Sequence, residues 1–281
     1  MTLAAVLALS SLVGVALGAL GGGGSILTVP ILIYVAELEA KQAIATSLLV
    51  VGATSVAGAV AHARAGQIRW RTGLLFGVGG MVGAFGGGLL GGSIPGRVLL
   101  VGFALMMLAT SVAMLRGRRT EHAHTRGDLA VLPALLEGVV VGLVTGLVGA
   151  GGGFLVVPAL VLFGGLPITA AVGTSLVVIA MKSFAGLAGY LTTVSIPWHL
   201  AIGVTVAAIL GSVLGSWLSG RIPEARLRRV FGWFVLVTGT FVLLEQAAPQ
   251  SWLAPGLAVL AVAVLAVGGR RMWRSAHAGG G

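Results

Sequence analysis

Two runs of glycine are the residues in this sequence that are best suited to bind a ligand. The first run, Gly21–Gly24, precedes Ser25, and the second, Gly149–Gly153, contains Ala150; both interrupt long apolar stretches. Glycine lets a ligand approach the backbone, and a helix that starts at such a run presents unpaired N–H groups and a partial positive charge. Helix N-termini of this kind bind anions without a cationic side chain. The runs therefore predict an anion site formed by Gly22, Gly23, Gly24, Ser25, Ala150, Gly151, Gly152 and Gly153.

The two glycine runs occupy equivalent positions in a duplicated unit. An offset of 128 aligns residues 18–103 with a second stretch without a gap, and it brings Gly21 onto Gly149 and Pro30 onto Pro158. A gapless register of this length indicates a duplicated structural unit, and internal duplication in an apolar chain is typical of transporters. Glycines outside the two runs have a simpler explanation, which is close helix packing. We expect packing roles for Gly83, Gly87, Gly211 and Gly215.

Hydroxyl side chains recur at matching positions in the apolar segment after each glycine run. Such hydroxyls bind oxyanions, and they also bond to carbonyls of their own helix, which is the commoner fate of membrane serines and threonines. Both interpretations stay open for the candidate pairs Thr46-Ser47 and Thr174-Ser175. Ser55 and Ser183 are weaker candidates because two helical turns separate them from these pairs.

Lys182 is the one basic residue deep inside an apolar run. A charge at that depth usually faces a cavity and marks function, although a long side chain can also reach the membrane surface. Its counterpart in the first unit is Thr54, so the charge is not part of the duplicated pattern. We expect Lys182 to add positive potential to an anion pathway. For His62, at a segment end, an interfacial anchor is the simpler expectation than a role in proton coupling.

Composition places the chain in the membrane. Hydrophobic residues make up 57% and charged residues 9%, in apolar runs of a length that suits a bilayer. The formal charge of +10 comes from short basic clusters between these runs, so positive-inside topology explains it and nucleic-acid binding is not expected. Without cysteine there are no disulfides and no thiolate metal sites, and we predict neither metal nor cofactor. The apolar segments also lack the His, Asp, Glu or Cys cluster that an intramembrane enzyme would need at membrane depth.

Charge distribution favours hairpins over simple crossings at the two glycine runs. The apolar segments 26–36 and 154–164 are too short to span a bilayer, which takes about twenty helical residues. If each broken segment enters and returns to its own side, fourteen basic residues share one face and only Lys41 and Arg97 lie opposite. If each crosses once, the basic residues divide almost equally, which violates the positive-inside rule. Equivalent loops of the two units also carry opposite charge bias, as inverted units require.

The predicted fold is an all-α polytopic membrane protein with two inverted-topology repeats. Each repeat has a glycine-broken re-entrant helical hairpin and three spanning helices, and one extra C-terminal helix follows. The predicted domains are a first repeat over 1–115, a basic cytoplasmic linker over 116–128, a second repeat over 129–246, and a C-terminal helix with a basic tail over 247–281. We expect a multi-pass protein of the plasma (inner) membrane with a cytoplasmic C-terminus.

A repeated motif resembles that of the sulfite exporter TauE/SafE family, also called the toluene sulfonate uptake permease family. The motif G-x-x-G-x-G-G with a later P-x-L occurs twice, at Gly18, Gly21, Gly23, Gly24, Pro30 and Leu32 and at Gly146, Gly149, Gly151, Gly152, Pro158 and Leu160. The resemblance implies a carrier of small sulfur oxyanions or organosulfonates such as sulfite or sulfoacetate, working by alternating access. The alternatives are a carrier of another small organic anion such as a carboxylate, and a non-transporting structural subunit. The direction of transport, a coupling proton or ion, and the oligomeric state, including a homodimer, stay open.

Overall fold

The computed structural model describes residues 3–20, 25, 27–115, 131–149, 152, 156–157, 160, 166, 168–219 and 224–247. Every regular element in this part of the chain is helical. The helices are α1 (Leu3–Leu20), α2 (Thr28–Tyr34), α3 (Ala40–Arg64), α4 (Trp70–Ser93), α5 (Gly96–Leu115), α6 (Val131–Val148), α7 (Ile168–Leu191), α8 (Trp198–Ser219) and α9 (Glu224–Ala247). The all-helical class predicted from the sequence is confirmed for these residues.

The duplication seen in the sequence extends to the backbone. The first residues of α6, α7, α8 and α9 each lie 128 positions after the first residues of α1, α3, α4 and α5. Turns repeat as well: the Leu38 N–H donates to the Leu32 carbonyl over 3.0 Å, and the Leu166 N–H donates to the Leu160 carbonyl over 3.2 Å. The same local sequence pattern therefore produces the same local structure twice.

Contacts between the two repeats are reciprocal. Helix α1 packs on α8, and its counterpart α6 packs on α4, the counterpart of α8. A Cβ on Gly211 would collide with the Ser11 carbonyl, and a Cβ on Gly83 would collide with the Val139 carbonyl, which is the equivalent pair. Gly215 and Gly87 are equally tight, against the carbonyls of Val15 and Leu143. The predicted packing role of these four glycines is confirmed. Because each repeat packs a helix on the other through the same surface, the contact resembles an isologous interface.

Helix directions follow from the order of the contacts along α4. Successive glycines of α4 meet residues of α6 in increasing order, with Gly79, Gly83 and Gly87 against Leu135, Val139 and Leu143. They meet α7 in increasing order as well, with Gly73, Gly77 and Gly91 against Thr174, Met181 and Tyr190. Helices α6 and α7 therefore both run parallel to α4.

Helix α3 runs the opposite way to its counterpart α7. Leu48 lies against Gly186, Gly52 against Phe184, and Leu176 against Gly58, so numbers fall along α7 as they rise along α3. The crossing is rich in small residues, which lets the two backbones approach. The equivalent helices α3 and α7 thus point in opposite directions where they cross.

Four of the described helices are long and apolar enough to cross a membrane, by length and composition: Ala40–Arg64, Trp70–Ser93, Ala170–Leu191 and Trp198–Gly215. Trp70 and Trp198 are about half exposed at the first residues of α4 and α8, where interfacial tryptophans are commonly found. The predicted basic linker at 116–128 and the predicted ninth spanning helix at about 252–268 lie outside the described residues.

Candidate functional site

The second glycine run begins where α6 ends, and two of its glycines have a positive φ. Gly149 has a φ of +73° and its N–H donates to the Thr145 carbonyl over 2.9 Å, which is the usual glycine termination of a helix. Gly152 has a φ of +63° and its carbonyl accepts the Val156 N–H over 3.0 Å, closing the first turn of a new helical segment. Both positions need left-handed backbone, which L side chains adopt only with strain.

Lys182 reaches this turn from α7. Its Nζ donates a hydrogen bond to Oγ1 of Thr145 over 2.9 Å, and the side chain is only 1% exposed. A Cβ on Gly152 would overlap both Nζ of Lys182 and the Thr145 side chain, so the ammonium lies directly against the glycine backbone. No carboxylate pairs with Lys182 among the residues that the structure describes. The amino group is therefore buried without an acidic partner in that part of the chain.

Thr145 is a site residue that the sequence patterns did not indicate. Its hydroxyl donates to the Val141 carbonyl over 2.7 Å, which leaves the oxygen lone pairs to accept from Lys182. Its counterpart in the first repeat is Leu17, so the repeat comparison carried no signal for it. The available signal was its position, as a lone hydroxyl one helical turn before the glycine run.

Ser47 joins the same turn from the other repeat. Its hydroxyl lies 2.5 Å from the Gly149 carbonyl and 2.8 Å from the carbonyl of Ile44 in its own helix. A Cβ on Gly149 would meet Ile44, so α3 supports the turn closely. Of the predicted site residues, Lys182 therefore lies against Gly152, and Ser47 contacts Gly149, three residues earlier in the same run. Ser175, the counterpart of Ser47, is buried and bonds to the Val172 carbonyl over 2.7 Å.

The threonines of the two Thr-Ser pairs have different surroundings. Thr174 Oγ1 accepts the Arg69 N–H over 3.0 Å and its methyl group lies against Gly73, near the first turn of α4. Gly80, which lies against Lys182, is seven residues further along α4, or about 10 Å at 1.5 Å per residue. Thr46 is fully buried, and its hydroxyl has no partner among the described residues.

The region around α2 in the first repeat has a small cavity instead of a charge. The space measures about 10 Å³ and lies between α1, α2, α3 and α8, with Ser10 and Thr28 as its polar lining. This volume holds about one water molecule. In the second repeat the equivalent positions pack into an apolar cluster that contains Phe76, the counterpart of Val204. The two repeats have therefore diverged: one has a cavity with hydroxyls, and the other has a lysine.

Several predicted positions cannot be placed at this site. Ser25 is fully buried next to the first residues of α2. Gly22, Gly23, Gly24, Ala150, Gly151 and Gly153 lie outside the described residues. His62 lies near the end of α3, where its Nδ1 is 2.7 Å from Oε1 of Gln67, an exposed loop residue. That position is far along α3 from Ser47, at the opposite end of the helix.

Four buried serine and threonine hydroxyls have no hydrogen-bond partner in the described part of the chain: Thr28, Thr46, Ser55 and Ser183. A buried polar group without a partner costs about 1–3 kcal/mol. Ser55 and Ser183 occupy equivalent positions in α3 and α7 and are each 1% exposed. The sequence pattern made this pair the weaker candidates. In the structure the two serines stand out because their hydroxyls lack the usual bond to the helix backbone.

Comparison with known proteins agrees with the geometry. The model of the family described as Sulfite exporter TauE/SafE matches residues 6–242. A probable membrane transporter protein of Xylella fastidiosa strain 9a5c is 37% identical over 239 residues, covering 83% of this chain and 91% of that protein. A probable membrane transporter protein of Methanocaldococcus jannaschii is 30% identical over 254 residues, covering 83% and 94%. No solved structure matches the chain.

Proposed function

Because the chain belongs to the sulfite exporter TauE/SafE family of membrane transporters, we propose that it carries a small sulfur oxyanion or organosulfonate, such as sulfite or sulfoacetate. The observation that carries this proposal is the buried Lys182 ammonium against the Gly152 backbone. A buried cation without a carboxylate partner in the described residues calls for an anionic ligand, since an uncompensated charge in a membrane protein is costly. Glycine and hydroxyl neighbours then supply hydrogen bonds to oxygen atoms.

The proposed site is built from both repeats. Ser47 of the first repeat and Lys182 of the second contact the same glycine turn, within one helical turn of Thr145. Ser25, Ser175 and the glycines and alanine of the two runs complete the proposed site. Thr46 and Thr174 stay in the proposal as candidate ligands.

We further propose the inverted repeats and re-entrant hairpins that the sequence predicts. Helices α6 and α7 run in the same direction, both parallel to α4. If the segment between α6 and α7 continued across the membrane in the direction of α6, α7 would begin on the far side. Helix α7 would then run antiparallel to α6. The parallel arrangement therefore supports a return between Val148 and Ile168. The antiparallel packing of α3 on α7 supports the inversion.

Alternating access follows from such a fold, with one unit moving against the other around a shared central site. We propose a multi-pass plasma-membrane location with a cytoplasmic C-terminus, from the positive-inside bias of the loops. A carboxylate substrate is the alternative, because a lysine, hydroxyls and backbone N–H groups recognise carboxylates and sulfonates by the same chemistry. A purely structural subunit is disfavoured by the buried lysine, which has no packing role that an apolar side chain would not serve better.

Transport by purified protein in proteoliposomes tests the proposal, with radiolabelled sulfite, sulfoacetate and acetate as substrates. We expect saturable flux of at least one sulfur anion, and its loss in Lys182→Met. Folding is expected to survive, because replacing a buried charge by an apolar side chain of similar length is often neutral or stabilising. Lys41→Met is the matched control, since Lys41 donates to the Gly92 carbonyl over 2.6 Å at the edge of the bundle. Equal flux in the two variants, both monodisperse, would remove Lys182 from the site, and flux of acetate alone would favour the carboxylate alternative.

A further inference from the structure

Two serine hydroxyls at the centre of the molecule are buried without partners, although their helices offer them an easy bond. At least twelve other hydroxyls of the described chain donate to a carbonyl three or four residues earlier: those of Ser10, Ser11, Ser47, Thr54, Ser93, Ser111, Thr145, Ser175, Thr192, Thr193, Thr205 and Thr240. Ser55 and Ser183 do not, and they find no other partner among the described residues. Their hydroxyls are therefore held away from the helix backbone.

Both serines lie on the face along which α3 and α7 cross. Ser55 comes seven residues after Leu48 and three before Gly58, and both of these contact α7. Ser183 comes seven residues after Leu176 and three before Gly186, and both of these contact α3. Residues with these spacings share one helix face. The antiparallel crossing therefore carries one serine from each repeat, on either side of its midpoint.

The crossing packs small residues against large ones. Each of its glycines faces a large side chain of the other helix, as Gly52 faces Phe184. Lys182 is the neighbour of Ser183 along α7, so the crossing lies next to the proposed anion site.

We propose that Ser55 and Ser183 form a paired hydroxyl site for the transported oxyanion, which becomes accessible when the α3–α7 crossing opens. Two O–H donors suit the oxygens of a sulfonate, sulfite or carboxylate, because O–H···O⁻ bonds are charge-assisted. The donors stay unpaired in the closed state and gain partners in the open state. This inference rests on the proposed transport function, and it adds a second binding position and the interface that moves.

Cysteine substitution tests the proposal directly, because the chain contains no native cysteine. Ser55→Cys and Ser183→Cys are nearly isosteric. The control is Ser111→Cys, which replaces a fully buried serine that bonds to the Leu108 carbonyl in α5. The probe is 2-sulfonatoethyl methanethiosulfonate, a small anionic thiol reagent, applied to full-length protein in liposomes. We expect labelling of both test positions at least about tenfold faster than of the control, since only an opening crossing exposes them.

Protection by ligand tests binding separately from opening. Methanesulfonate or sulfoacetate, but not chloride, should slow the labelling of both test positions. Absence of labelling, or labelling that none of these anions slows, would overturn the proposal. A wild-type protein that moves no anion would defeat the transport function instead, and protection would then still report an oxyanion at the crossing.

Alanine variants separate function from stability. Ser55→Ala and Ser183→Ala remove an unpaired hydroxyl, so the melting temperature should stay constant or rise, whereas anion flux should fall about tenfold for each lost charge-assisted bond. Ser111→Ala should retain wild-type flux. Wild-type flux in the double variant S55A/S183A, or a fall in melting temperature that accounts for the lost flux, would also overturn the proposal.

Discussion

Nζ of Lys182 donates a hydrogen bond to Oγ1 of Thr145 over 2.9 Å, inside the protein and against the Gly152 backbone. The bond joins α7 to the last turn of α6. It therefore holds the amino group beside the end of α6.

Removing Thr145 should cost more stability than removing both partners. In Thr145→Val the buried ammonium loses its acceptor, and we expect destabilisation of about 1–3 kcal/mol. In the double variant T145V/K182M no charge is left unpaired, so much of that loss should be recovered. Thermal unfolding of the single and double variants measures the coupling. Additive effects of the two substitutions would contradict an energetically important bond.

Gly152 should tolerate alanine poorly, for two separate reasons. Its φ of +63° is strained for an L residue, and the new Cβ would overlap Lys182 and Thr145. Gly66→Ala is the matched control, because Gly66 has a φ of +68° and nothing within 4 Å of the added Cβ. We expect Gly66→Ala to show the backbone strain alone, about 1 kcal/mol, and Gly152→Ala to lose transport as well. Equal effects on flux would show that the contact with Lys182 does not matter.

The reciprocal packing predicts matched costs in the two repeats. Gly83→Ala and Gly211→Ala each drive a Cβ into a backbone carbonyl of the neighbouring helix, so both should lower the melting temperature by a similar amount. Gly102→Ala in α5 has open space around the new Cβ and should be neutral or slightly stabilising through helix propensity. Thermal unfolding in detergent compares the three. A cost confined to one repeat would contradict the equivalence of the two interfaces.

Inverted topology predicts that equivalent loops lie on opposite sides of the membrane. Gln67 and Ser195 are 128 positions apart, both exposed, and they precede α4 and α8. Single cysteines at these positions in the cysteine-free chain should react with an impermeant maleimide from opposite sides of oriented vesicles. Reaction of both from one side would mean that the repeats share one orientation.

Much of the fold was predictable because it depends on local pattern. Apolar runs and turn residues recur with an offset of 128, and the helices begin with that offset. The packing glycines were predictable for the same reason, since small residues in membrane helices have few other uses. The site was less accessible to such reasoning. Whether a hydroxyl bonds to its own helix, as Ser175 does, or to a distant loop, as Thr174 does, depends on tertiary packing.

Lys182 and Thr145 show which part of the site the sequence pattern predicts and which part depends on tertiary packing. A lone lysine in an apolar run is conspicuous, so its functional importance was predicted. Its partner was not, because the contact joins residues 37 positions apart and has no counterpart in the first repeat. The same holds for Ser55 and Ser183, because only the structure shows that their hydroxyls lack the usual bond to the helix backbone.

Helices α1 and α6 each pack on a helix of the other repeat, and this arrangement bears on biosynthesis. Helix α1 ends at Leu20, yet its main packing partner, α8, begins only at Trp198. A ribosome therefore delivers α1 to the bilayer long before its docking surface has been translated. Until α8 is made, α1 lies in lipid or beside the insertion machinery, and its face that contains Gly14 is not packed against Ala208. Assembly of the first half consequently ends only after most of the second half has been made.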